Sequence, residues 1–599
     1  MALVLFHTSK VRQALKQRAS LGVDVMLLAG IAGLVAALAM VFGQASAPMR
    51  QQVYIDLSLW ALPKYTLFSL ARGFAAYAIS LIFTLIYGTI AAHNHTAEKV
   101  MIPTLDILQS IPVLGFLPGL VLAMISLFPN REIGLELACV IMIFTAQVWN
   151  MTFSFHGSLR SIPTALREAA AMQGLTGWQI FRLLEVPAAM IGLVWNSMMS
   201  MAGGWFFLTV NEAFTLTING QNHDFRLPGI GSYMSEAIDK HDHLAEIGAV
   251  FAMTLMIILV DQLFWRPIVV WSQRFKLEDS AAADEPHSWV VDLFKHSRIL
   301  RGISRFIARL RHRSASSAAV ALAASHPSES KIRRIQLLKR IVNYVVLAGL
   351  CVMAVIGAIK LLNMFIHLPI HDPTPDRSWS EREDWITIFL ALLASFARTT
   401  ATVVIGALWT LPIGIMIGLS PRWSHRLQPV TQVLASFPAP MLFPLVYALL
   451  LLLHIPFGIG CIALMLLGAQ WYILFNVVAG ATSIPAELKE ASHIYHLQPV
   501  QRWTKLYLPS VFPYLVTGLV TAAGGAWNAT IVAEYLNLGH GEPIVAFGLG
   551  SMIFRASDSG KYSLLAAAVV TMSVFVVMLN RALWKRLYRL AESRYSLNV

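Results

Sequence analysis

The sequence predicts an all-α integral membrane protein with twelve transmembrane helices in two parallel six-helix repeats. Three observations carry this. Charged residues make up 13% of the 599-residue chain, hydrophobic residues 57%, and the mean hydropathy is +0.63, whereas a soluble domain carries roughly 25% charged residues. Apolar runs of about 20 residues, long enough to cross a bilayer as helices, recur along the whole chain. A polar loop is also written twice: residues 161–212 and 483–534 align without a gap at a constant offset of 322, with sixteen of 52 positions identical. The identities include Ser161/Ser483, Pro163/Pro485, Glu168/Glu490, Pro187/Pro509, Trp205/Trp527 and Glu212/Glu534.

The first six spans are expected near 22–43, 66–92, 101–128, 134–157, 187–212 and 245–266. The second six are expected near 341–364, 387–419, 427–453, 458–480, 509–533 and 561–582. Helices suit this role because they satisfy their own backbone polar groups in lipid. The repeat reaches beyond the loop. Arg72/Arg398, Gly88/Gly414, Ser110/Ser436 and Pro112/Pro438 align at an offset of 326, and the Gly-x-Gly-Ser elements at 229–232 and 548–551 align at 319. The chain therefore divides into a first unit, 1–266, a basic linker, 267–340, and a second unit, 341–599. Six spans is an even number, so both units start and finish on one side, related by an axis along the membrane normal.

A net charge of +13 raises the possibility of nucleic acid, but its distribution points to a membrane instead. Basic residues gather at Lys10, Arg12, Lys16 and Arg18, in the linker, and at Arg581, Lys585, Arg586 and Arg589, which is the positive-inside pattern. Both termini are then cytoplasmic, the first span is retained, and the loops 158–186 and 481–508 face the cytoplasm. The linker holds fourteen Lys/Arg against six Asp/Glu. Its amphipathic flanks suit helices lying on anionic lipid; a regulatory binding site is the alternative. Cys139, Cys351 and Cys461 lie in apolar runs and read as small core residues.

Within the first loop, Ser161 is placed to cap a short helix with Pro163 in its first turn. Gly174 stops that helix in a left-handed conformation. Thr176 and Gln179 have capping-box spacing for a second short helix, and Pro187 marks the start of the next span. The outcome is a helix-turn-helix knuckle, present in both units.

The pattern Glu168-Ala169-Ala170…Gly174…Val186-Pro187, with its copy Glu490-Ala491-Ser492…His496…Leu508-Pro509, resembles the EAA loop of bacterial ABC importer permeases of the type I architecture. The variant is similar to the nitrate/sulfonate/taurine branch in a duplicated, fused form. The resemblance implies that each loop docks one subunit of a cytoplasmic ABC ATPase, so that two copies bind. It also implies a bacterial inner-membrane location, a periplasmic or extracellular substrate-binding protein, and ATP and Mg on the partner rather than on this chain. No Walker A pattern occurs in the sequence, so the energy source is expected on another chain, and a permease of this kind is expected to perform no covalent chemistry. The rival is a twelve-span secondary transporter, which has no need of two docking knuckles. His496 stands where the first copy has Gly174. Either the two docking sites are unequal, or histidine fits a slightly different turn.

Ionisable residues beside spans are the default functional candidates. Arg72 and Arg398 either snorkel to the outer interface or attract an arriving anion. Glu212 and Glu534 either bond to backbone or act at a gate; a pair of carboxylates would repel an anion. Gln109, Ser110 and Ser436 lie in proline-rich spans whose broken backbone either lines a cavity or packs at the two-fold interface. The His93/His95 and His241/His243 pairs read as solvated rather than metal-binding.

Overall fold

A computed structural model of the chain describes residues 54–275 and 384–595, apart from 130, 219–220 and 539–542, with isolated positions outside those ranges. The expected spans at 22–43 and 341–364, and nearly all of the linker, lie outside the described residues. Two compact units emerge. The smaller comprises 1–40, 262–271 and 282–367, and its described stretch 262–271 is helical. The larger comprises 41–261, 272–281 and 368–599, and holds both copies of the repeat. Among the described residues, eight helices are long and apolar enough to cross a membrane, or ten if each of two bent pairs counts as one span.

The helices of the first copy are α1 (Leu62–His93), the bent pair α2 (His95–Ser110) and α3 (Leu117–Leu127), α4 (Ile133–Arg160), the knuckle helices α5 (Thr164–Met172) and α6 (Gly177–Ile180), and α7 (Val186–Glu212). Then come α8 (Ile230–Asp239) and α9 (His243–Val260). The second copy repeats the order: α10 (Trp385–Leu419), bent pair α11 (Pro421–Ser436) and α12 (Phe443–Leu452), α13 (Phe457–Thr482), knuckle helices α14 (Ala486–Ile494) and α15 (Pro499–Arg502), and α16 (Leu508–Ala533). It closes with α17 (Leu549–Asp558), α18 (Tyr562–Leu579) and α19 (Lys585–Tyr595). Two small antiparallel hairpins interrupt the helices, β1 (Thr215–Ile218) with β2 (Gln221–Asp224), and β3 (Tyr535–Leu536) with β4 (Ile544–Val545).

Each copy is built on three mutually packed helices, α1, α4 and α7 in one and α10, α13 and α16 in the other. Small residues permit that approach. A Cβ on Gly88 would lie 2.6 Å from a ring carbon of Phe155, and one on Gly414 would lie 2.7 Å from a methyl of Val477. Gly88/Gly414 and Phe155/Val477 are themselves equivalent positions, so the same helix contact is made twice. Around it the first copy buries Met151, Phe155, Leu159 and Leu193, and the second Ile473, Val477, Val511 and Ala522.

The third span of each copy is not one kinked helix but two segments bent by 84° and 89°. Proline explains the place of the break. Pro112 and Pro438 cannot donate to the preceding turn, and the residues before them, Ile111 and Phe437, take the extended conformation that proline imposes on its predecessor. Short 3-10 turns, Val113–Phe116 and Ala439–Leu442, carry the chain round the corner. Each corner packs on the other copy: the first against α16 and the second against α7. The two copies thus embrace across a pseudo-two-fold axis.

Candidate functional site

Three places in the larger unit bring the candidate residues together: a buried ionic network at the far end of α7 and α16, the two knuckles at their near end, and a cavity between.

The arginines do not snorkel, and their burial is the reason. Arg72 is 3% exposed and Glu212 fully buried, with Arg72 Nη1 2.7 Å from Glu212 Oε1. The guanidinium also donates to both oxygens of Glu136, at 2.6 and 2.7 Å, and to the carbonyl of Pro228 at 2.8 Å. Ser69 donates to both Glu212 oxygens, and the Gly231 N–H donates to Oε2 at 2.9 Å. The second copy repeats this nearly atom for atom. Arg398 Nη1 donates to Glu534 at 2.9 Å and to the Phe547 carbonyl, Ser395 donates to both Glu534 oxygens, and the Gly550 N–H donates at 2.9 Å. One difference stands out: Gly458 occupies the position of Glu136, and its carbonyl accepts from Arg398 Nε at 2.7 Å. A Cβ on Gly229 or Gly548 would run into the carboxylate, so glycine is required by close approach. The network ties α1, α7 and α8, and likewise α10, α16 and α17, at one end of the membrane.

About 40 Å away along α7, by its 27 residues at a helical rise of 1.5 Å, lies the first knuckle. Ser161 does not cap α5. It is the C-cap residue of α4 instead and donates to the Ser158 carbonyl, because the chain turns only after Pro163. The Thr176/Gln179 capping box forms. The second short helix does not end at Pro187, however. A π turn at Phe181–Glu185 carries it directly into α7, and the same happens at Trp503–Tyr507 in the second copy. The proline follows the π turn within its first two residues, and the locally widened backbone accommodates its missing N–H.

Both knuckles close with the same hydrogen-bond pattern. Leu175 N–H donates to the Ala170 carbonyl and Gly174 N–H to Ala171; Leu497 donates to Ser492 and His496 to His493. Gly174 has φ +71° and His496 φ +46°. Histidine therefore adopts the left-handed turn that glycine takes freely. His496→Gly is expected to stabilise the protein by about 1 kcal/mol, since a Cβ in that region costs on the order of 1–2 kcal/mol; thermal unfolding of the two proteins checks this. Glu168, Gly174, Glu490 and His496 are exposed, Ala169 and Ala491 half-buried, and Ala170 and Ser492 buried against the knuckle's own root. Beside them project Met172 and Trp178 in one copy and Ile494, Tyr495 and Val500 in the other, all about seven-tenths exposed or more. His93 pairs with the buried Glu185 at the root of the first knuckle, and His95 lies 3.3 Å from Glu98. Asp242 caps α9.

The cavity, about 120 Å³, lies between the copies. It has room for several waters or one small polyatomic solute. Twenty-two of its twenty-four lining residues form eleven pairs related by the repeat offsets of 322 and 326. Among them are Trp149/Trp471, Gly203/Gly525, Asn150/Tyr472 and Gln109/Ala435. The site therefore straddles the pseudo-two-fold axis, and it sits near the middle of α4, α7, α13 and α16. Of the sequence candidates, Gln109 lines it. Ser436 lies between the lining residues Ala435 and Phe437, and Ser110 ends α2 beside Gln109. Arg72, Arg398, Glu212 and Glu534 do not line it. Sequence reasoning missed Trp149, Asn150 and Tyr472; the duplicated tryptophan was the available signal.

A family model described as "Binding-protein-dependent transport system inner membrane component" matches residues 84–264 and again residues 410–596, more than half of the chain. A nitrate import permease protein of Leptolyngbya laminosa is 28% identical over 193 residues, 32% of this chain and 65% of that protein. A bicarbonate transport system permease protein of Synechocystis sp. is 28% identical over 196 residues, 33% of this chain and 66% of that protein. A putative aliphatic sulfonates transport permease protein of Bacillus subtilis is 28% identical over 211 residues, 34% of this chain and 72% of that protein. The chain spans about two thirds of the length of these curated relatives.

Proposed function

The chain belongs to the family of binding-protein-dependent transport system inner membrane components, as a fused duplicate similar to the anion permeases of ABC importers, and from this we propose that it supplies both permease halves of an ATP-driven importer for a small anion. In this reading the units 1–266 and 341–599 are the two permease halves and 267–340 joins them along the inner leaflet. The permease itself carries out no covalent chemistry, and ATP and Mg belong to the partner. Each knuckle, with Glu168, Ala169, Ala170 and Gly174 or Glu490, Ala491, Ser492 and His496, docks one ATPase subunit on the cytoplasmic face. A periplasmic or extracellular binding protein delivers the solute to the opposite face, near the ionic networks.

The observation that carries this is the pair of knuckles with exposed apolar tips. Each is joined without a break to a helix, α7 or α16, that lines the central cavity. Docking energy that differs between two ATPase states can then rock both helices as rigid levers and alternate access to the cavity. The expected result is that cells carrying the permease and binding protein but lacking the ATPase lose uptake of labelled nitrate, bicarbonate or methanesulfonate. Undiminished uptake would favour the secondary-transporter reading instead.

A further inference from the structure

We infer that the central cavity is a binding site for one monovalent oxyanion, held by neutral donors, and that it rejects divalent anions. The inference rests on the transport reading above but makes a separate claim about selectivity.

Among the described residues, the wall contains no Asp, Glu, Lys, Arg or His. Its polar groups are amides, hydroxyls and indoles, and several of them are already engaged within the protein. Asn528 Oδ1 accepts from the Val113 N–H at 2.8 Å, across the two copies, while its Nδ2 donates to Gly524. Thr145 and Thr521 turn their hydroxyls to carbonyls of their own helices, and Trp471 Nε1 donates to Leu467. Among the described residues, the side chains of Gln109, Trp149, Asn150 and Tyr472 form no hydrogen bond. These four supply amide N–H, indole N–H and phenol O–H groups. Indole can only donate, and phenol and amides donate readily. The four carry six donor hydrogens against three acceptor oxygens, and with no carboxylate beside them that balance suits an oxyanion better than a cation.

Charge sets the limit on which oxyanion. The cost of moving an ion out of water grows with the square of its charge, so a divalent anion costs about four times what a monovalent one does in the same site. With no cation in the wall, neutral donors can offset the smaller cost and not the larger. The nearby arginines give no help, since both are committed to carboxylates.

The two-fold wall is also unequal. Ala435 stands at the position equivalent to Gln109, Leu467 at that of Thr145, and Tyr472 at that of Asn150. The free amides both belong to the first copy, so the anion sits off the axis, toward Gln109 and Asn150.

The test is the unfolding midpoint of the full-length protein in detergent, titrated at constant ionic strength with sodium nitrate, methanesulfonate or sulfate against gluconate. Nitrate and methanesulfonate are expected to raise the midpoint saturably, as a ligand of the native state must, and sulfate is not. Gln109→Leu and Asn150→Leu break no internal hydrogen bond. Each should therefore leave the ligand-free midpoint in place and raise the half-saturating concentration about tenfold, the equivalent of 1.4 kcal/mol, with a smaller effect for Tyr472→Phe. Sulfate stabilising as well as nitrate would overturn the inference, as would unchanged half-saturation in both leucine variants. So would no stabilisation by any anion while the ATPase still co-purifies, a result that leaves the transport reading standing. Anion binding without ATPase co-purification would sink the transport reading and keep the cavity site.

Discussion

Replacing Arg72 with alanine is expected to cost about 3–5 kcal/mol, the usual penalty for stranding a buried charge by removing its partner, and to cost more than Arg398→Ala. Arg72 is held between two carboxylates, Glu212 and Glu136. Its removal leaves both without a counter-charge. Glu212 retains Ser69 and the Gly231 N–H, but among the described residues no other donor to Glu136 accompanies the guanidinium. In the second copy Gly458 stands in place of Glu136 and offers only a neutral carbonyl. Loss of Arg398 strands a single carboxylate, Glu534, which keeps Ser395 and the N–H groups of Gly550 and Ser551. Arg398 is also 15% exposed against 3% for Arg72, so water can reach the gap. Thermal unfolding of the two variants decides the matter, and hydrogen exchange in α8 and α17 localises it. Equal losses, or a larger loss at Arg398, would mean that Glu136 adds nothing to the first network.

This network also shows how far the sequence could be read. Arg72/Arg398, Glu212/Glu534 and Gly231/Gly550 were each visible as duplicated pairs, but at three different offsets, 326, 322 and 319. Insertions between the elements hid the fact that the three pairs are one site. Ser69/Ser395 shares the arginine offset and completes the site; a serine in an apolar run drew no notice because serine is common there. The spans and the knuckle were legible because apolar length and capping chemistry are local. The bends at Pro112 and Pro438 were half legible: proline announces a break, but the 84° and 89° angles come from packing each corner on the other copy. The cavity was least legible. Asn150 and Tyr472 share the loop's offset of 322, but as different residue types inside apolar stretches they leave no repeated signal.

Trp178→Ala is expected to lower retention of the ATPase about 30-fold, since an aromatic anchor in a docking surface is commonly worth about 2 kcal/mol or more, whereas Val500→Ala at the equivalent position changes it less than about fivefold. Trp178 is 69% exposed and stacks on Phe181 at 5.4 Å, so it is held out from the knuckle as a rigid face. The second knuckle has no aromatic there. Its exposed aromatic is Tyr495, 78% exposed, at the position of Gln173 on the first. Tyr495→Ala should therefore match the loss at Trp178, and Gln173→Ala should do little. The backbones give no ground for this asymmetry. Gly174 and His496 share the left-handed turn, and both knuckles close with the same bonds. Each knuckle is thus the same frame with its anchor moved by five positions. If the partner is two identical ATPase subunits, they present one groove to two different tips, and one tip must fit less well. Pull-down of the ATPase with each single variant measures this directly. Equal losses at Trp178 and Val500 would show that the frame alone is recognised, and that the departure from symmetry at His496 carries no consequence for docking.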